Sequence, residues 1–215
     1  MLLNKCPNAI QIYDRVFDIE TNARLWLNIS IQLSKVNNAY QVIDILFSAI
    51  KNKKDINEEY NNKLLEKLYW FLNCGKTNNE IKAESEKATR GSNEKLYSFE
   101  KDDTLIFSAF YRTYKIDIEA ELDTLHWWKF MAMFNDLDEK SKLVGVYMYY
   151  RGLDINESSI YKHASEREKQ KILEMKNFVS LESKNIGSNI DNAEEEKIRL
   201  ERLKILEAQK NGNGN

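Results

Sequence analysis

One proline, Pro7, and seven glycines in 215 residues leave nearly the whole chain without a helix breaker. A many-stranded sheet, with its frequent turn residues, is excluded, and a mostly α fold is expected. The exception is the start, where Ile10 and Ile12, then Val16, Phe17 and Ile19, flank Tyr13-Asp14-Arg15 in an alternation that predicts a short β-hairpin. Thr21 or Asn22 then caps a helix that carries Leu25, Trp26, Ile29 and Leu33 to about Lys35. A second helix is expected over Tyr40–Ile50, and a third from near Asn57 through Leu64, Leu68 and Phe71 to Cys74-Gly75, where glycine supplies a left-handed stop. Residues 1–75 therefore read as an N-terminal hairpin plus a three-helix unit.

Residues 76–97 are mostly Lys, Glu, Asn, Ser and Thr, too poor in large apolar side chains to order themselves strongly, and read as a polar linker or a charged helix. Residues 98–155 then form an aromatic-rich helical core. Asp102-Asp103 starts a helix with Leu105, Ile106, Phe107, Ala109, Phe110 and Tyr111, apolar on nearly every side and so expected to be central. After an extended connector, Ile116-Asp117-Ile118, one continuous helix is predicted from about Glu119 to Leu137, and another from Glu139 to about Arg151.

Residues 156–215 read as a charged helical arm with a disordered C-terminal tail. A helix is expected from Ser158-Ser159 to about Ser183, an interruption at Asn185–Asn192, and a final helix opened by Glu194-Glu195-Glu196. A lone helix of that length is marginal in water, so its apolar positions Ile198, Leu200, Leu203 and Leu206 are the candidate partner-binding residues.

Composition excludes several function classes. The net charge of −2 offers no global field for nucleic acid or an anionic membrane. No run of about 18 apolar residues occurs, and the opening segment lacks a signal peptide's apolar stretch, so neither a membrane span nor export by that route is expected. Two cysteines, Cys6 and Cys74, are too few for a disulfide framework, and Cys74 reads as a small packed residue. Phosphate-loop, HExxH and GxSxG motifs are all missing, so neither catalysis nor a cofactor is expected. Asp102-Asp103 is a poor metal pair because consecutive helical residues point about 100° apart. His126, although beside Asp123 and Lys129, reads as a hydrogen-bonded core residue.

The word Leu125-His126-Trp127-Trp128-Lys129-Phe130 is more specific than any of these patterns. Together with Ser98-Phe99-Glu100, Asp102-Asp103, Ile106–Phe110, Tyr114, Ile116-Asp117-Ile118 and Tyr150-Arg151 it resembles the family named after the fifteenth gene product of a Listeria phage, found in tail modules of siphophages and prophages of Gram-positive bacteria. Pro7, the hairpin, Thr21–Arg24, Trp26, Trp70-Phe71 and Cys74-Gly75-Lys76 fall in the same order as in that family, so the resemblance spans about residues 1–155. Its motif residues here are Asp102, Phe110, Tyr114, Asp117, Leu125, His126, Trp127, Trp128, Lys129, Phe130 and Arg151, expected in the core. Asn22 replaces the family's usual aspartate. Lys115 replaces its usual glycine, which argues against a tight left-handed turn there.

The resemblance implies a non-enzymatic protein encoded between the major tail protein and the tape-measure protein. A chaperone holding the tape measure soluble in the host cytoplasm is the first expectation, and a structural virion component, a tail terminator or connector subunit, is the alternative. The partners implied are the tape-measure protein or other tail proteins, with self-association allowed, and neither nucleic acid nor membrane.

Overall fold

The computed structural model describes residues 5–53, 56, 58–77, 79–82 and 95–181. Its elements follow from local sequence until tertiary hydrogen bonds intervene. Strands β1 (Ala9–Ile12) and β2 (Arg15–Asp18) pair antiparallel, with Ile10 opposite Phe17 and Gln11 opposite Val16. The two-residue period buries Ile10, Ile12, Phe17 and Ile19 while Gln11 and Val16 face water. Tyr13 makes the turn in a left-handed conformation and packs with Phe17 around the ring of Tyr60.

Helix α1 (Ala23–Leu33) is capped by Asn22, whose side chain accepts from the Leu25 N–H, and α2 (Ala39–Phe47) by Asn38, which accepts from Tyr40. Helix α3 (Glu58–Leu72) buries Leu64, Leu68 and Phe71, one face at helical spacing. Cys74 and Gly75 both follow it with positive φ, so the expected stop is two residues long.

Helix α4 (Asp103–Tyr114) buries Ile106, Ala109 and Phe110 but leaves Phe107 39% and Tyr111 57% exposed. It is therefore central on one side only, a correction to the expectation of apolar contact all round. It ends on Lys115, which takes the left-handed conformation (φ 58°) that its side chain argued against. Left-handed backbone costs a non-glycine residue roughly 1–2 kcal/mol, partly offset by glycine's larger unfolded entropy. Lys115→Gly is accordingly expected to stabilise the protein by about 0.5 to 1 kcal/mol in urea titration; a destabilised variant would show that the Lys115 Nζ bond to the Arg112 carbonyl matters more than the backbone.

The continuous helix expected from Glu119 to Leu137 is broken in two, α5 (Ile118–Glu121) and α6 (Trp127–Asn135). The reason is tertiary. The Leu122 and Leu125 carbonyls accept from Arg24 and Ala23 at the start of α1, and Trp127 N–H donates to the Thr21 carbonyl, so these groups cannot serve a helix of their own. The helix expected over Glu139–Arg151 is a π-helical turn, Leu143–Met148, that runs into α7 (Tyr149–Gly152). Gly145 lies so close to the Glu139 carbonyl that a Cβ would stand 2.4 Å from it.

The arm helix expected from Ser158 to about Ser183 is likewise two, α8 (Ser159–His163) and α9 (Glu166–Val179). Ser165 and Glu168 form a capping box that starts α9 afresh.

Side chains from β1 through Leu143 share one hydrophobic core. By their contacts Met1–Leu181 make one unit. Most of the polar stretch 76–97, and the whole of Glu182–Asn215 with Ile198, Leu200, Leu203 and Leu206, falls outside the described residues.

Candidate functional site

The motif residues form two structural devices. In the first, Trp127 and Trp128 reach back from the start of α6 to the end of α3. Their indole N–H groups donate to the Leu72 and Phe71 carbonyls, each at 2.8 Å. Carbonyls at a helix C-terminus have no partner within the helix; the Trp127 indole supplies one to Leu72, and the Trp128 indole adds a second to Phe71 beside the Cys74 N–H. The Trp128 ring covers Gly75, where a Cβ would come within 2.9 Å of it, and meets Trp70 edge-on at 5.3 Å. Phe130 stacks between Trp127 and Phe110, with ring centroids 5.6 and 5.2 Å away.

His126 sits at the cap of α6. Its Nδ1 accepts from the Trp128 N–H at 3.0 Å, which leaves the proton on Nε2, 2.9 Å from the Pro7 carbonyl. Both nitrogens of a neutral ring are thus used, although the side chain is half-buried and stands at the edge of the core instead of inside it. Burial pushes this imidazole below its ordinary range and Lys129 adds to the effect, while the Pro7 carbonyl opposes it. The folded chain therefore takes up this proton at lower pH than the unfolded chain. The stability involved is intact above about pH 6.5 and is lost as pH falls below that value. Wild type should lose more melting temperature between about pH 7.5 and 5 than His126→Asn does; parallel profiles would refute the linkage.

The second device is the buried pair Arg151 and Asp102, 3% and 2% exposed. The guanidinium holds both carboxylate oxygens, at 2.6 and 2.9 Å. It also donates to the Leu96 carbonyl at 3.0 Å and, through Nε, to the Val179 carbonyl. Asp102 in turn accepts from the Ser98 N–H. Asp102 was expected to serve the helix start, yet its side chain makes no capping bond there. Asp103 lies in the first turn instead.

Of the other motif residues, Tyr114 donates to the Met133 carbonyl near the end of α6, and Asp117 caps α5. Leu125 is half-buried, while Lys129 is exposed. Cys74 is packed, and burial raises its thiol to about 11, so it is protonated near neutrality. Among the described residues there is no group of acids, histidines and cysteines that could hold a metal, and no helix long and apolar enough to cross a membrane.

Sequence reasoning missed the concave surface beside these devices. A groove of about 620 Å³ opens between α1, α4 and α5, with Leu27, Ile31, Phe107, Ile118 and Leu122 among its apolar walls. Leu27 and Ile31 recur four residues apart on α1, a second apolar face that was legible beside Trp26 and Ile29.

The family model described as Bacteriophage Gp15 protein matches residues 2–181. The chain belongs to that family. No curated protein and no solved structure matches it. The Gp15 match runs past residue 155, where the resemblance was expected to end, and takes in α8 and α9. Within those added residues the Val179 carbonyl, at the end of α9, accepts from Arg151.

Proposed function

We propose that this bacteriophage structural or assembly protein is non-enzymatic and acts in the host cytoplasm as a chaperone that keeps the tape-measure protein soluble until the tail tube polymerises. One observation carries the reading: the buried polar and aromatic motif groups are committed to holding the fold, and the concave surface left open beside them is mostly apolar. A long tape-measure helix exposes apolar stripes of the kind such a surface can cover. The C-terminal residues Ile198, Leu200, Leu203 and Leu206 are proposed as a second contact with the same client.

The test is co-expression with the tape-measure protein of the same phage, followed by a solubility assay and pull-down. Soluble tape measure in a complex is expected, with weaker rescue when the chain is cut at Asn192. Absence of binding, with the protein present at fixed stoichiometry in purified particles, would replace the chaperone by a structural virion component.

A further inference from the structure

The groove has ends as well as walls, and its ends carry charge. Along α1 the lining residues Arg24, Leu27, Asn28 and Ile31 share one face, and Lys35 follows a turn later. Arg24 pairs with Asp123 at 2.7 Å, while Lys35 pairs with Glu100, just before α4. The α1 residues that line the trough, Arg24 to Ile31, span about 10 Å at 1.5 Å per residue, and Lys35 stands just beyond the end of α1. These pairs neutralise each other's charges. Two further acids line the trough, Asp103 at the Lys35 end and Glu119 at the Arg24 end, both exposed. Neither forms an ion pair among the described residues, although the Arg24 guanidinium donates to the Glu119 carbonyl at 3.0 Å and feels the Glu119 charge.

Between the ends the walls are mostly apolar, with Asn28 and Thr104 the polar exceptions. Phe107 and, one turn on along α4, Tyr111 stand exposed beside them. Among the described residues no strand edge borders the trough, so a peptide has no sheet to add to here; helices lining a trough accept a further helix.

We propose that this trough is the docking site for an amphipathic helix of another protein, one whose apolar stripe is bracketed at both ends by Lys or Arg. The apolar stripe fills the walls, and the two terminal cations meet Asp103 and Glu119. The identity of the client rests on the chaperone reading, whereas the chemistry of the trough does not.

The probes are two synthetic helices of roughly 15 residues sharing one leucine stripe, the first with lysine and the second with glutamate at both ends. Each is titrated by fluorescence anisotropy against the full chain. The lysine-ended helix is expected to bind saturably and about tenfold more tightly than the glutamate-ended one, a difference of about 1.4 kcal/mol. Asp103→Lys with Glu119→Lys, both at exposed positions, reverses that order, and Phe107→Ser weakens both probes. Tyr40→Ser, on α2 outside the trough lining, changes neither. Circular dichroism of each variant confirms folding.

Equal binding of the two helices, or an order that survives the double lysine variant, overturns the proposal. A dimer that dissociates on Phe107→Ser would assign the trough to a second copy of this chain and overturn it equally. Ordered peptide binding without rescue of the tape measure would keep the trough and remove the chaperone reading; rescue that persists in the double lysine variant, with equal peptide binding, would do the reverse.

Discussion

Asp102→Ala is expected to remove about 3 to 5 kcal/mol of stability, because it strips a buried guanidinium of its carboxylate while leaving the charge inside. Native domains have only about 5 to 15 kcal/mol in hand, so the variant should unfold at much lower urea and accumulate poorly in cells. A well-packed apolar replacement of both partners, Asp102→Leu with Arg151→Met, should recover a large part of the loss. Recovery would be incomplete, since the Leu96 and Val179 carbonyls and the Ser98 N–H then lack their side-chain partners. Urea unfolding of the single and double variants measures the coupling. A single variant within about 1 kcal/mol of wild type would mean that water replaces the carboxylate and that the pair is no lock.

Trp127→Ala should cost a similar amount, about 3 to 5 kcal/mol, for a different reason. The ring is 2% exposed and stacks on Phe130, so its removal opens a cavity in the shared core and leaves the Leu72 carbonyl without its donor. Trp127→Phe separates the two contributions. It keeps most of the apolar volume and loses the indole N–H, for about 1 to 3 kcal/mol if the carbonyl stays dry. Equal losses in Trp127→Phe and Trp127→Ala would assign the effect to the hydrogen bond alone. Measured by the same unfolding assay, neither substitution touches the groove walls named above.

Local devices were legible in the sequence and distant partnerships were not. The hairpin and the cap at Asn22 depend on residues within ten positions of one another, so period and cap chemistry revealed them, whereas the cap at Asn38 was missed although it is just as local. Ser165-x-x-Glu168 was equally local and was passed over, which merged two helices into one. The break at residues 122–126 has another origin. Its apolar spacing is helical, and only the capture of the Leu122 and Leu125 carbonyls by α1, some 100 residues earlier, cancels it. Arg151 could be recognised as a motif letter, yet two of its acceptors are backbone carbonyls, which any residue type supplies and no pattern marks. The groove was hidden for the same reason, since it exists only where the second face of α1 meets α4 and α5.

The grip of Arg151 on the end of α9 also sets a clock on biosynthesis. The Val179 carbonyl lies 28 residues downstream of the guanidinium that holds it. At roughly 5 to 20 residues per second, a ribosome needs about 1 to 6 s to deliver it. Helices and hairpins form in microseconds, so the hairpin and α1 to α3 can be in place while Arg151 still waits for its last acceptor. Final locking of this protein is therefore governed by translation speed, and slow codons between positions 151 and 179 would lengthen the interval in which the nascent chain is open to proteases.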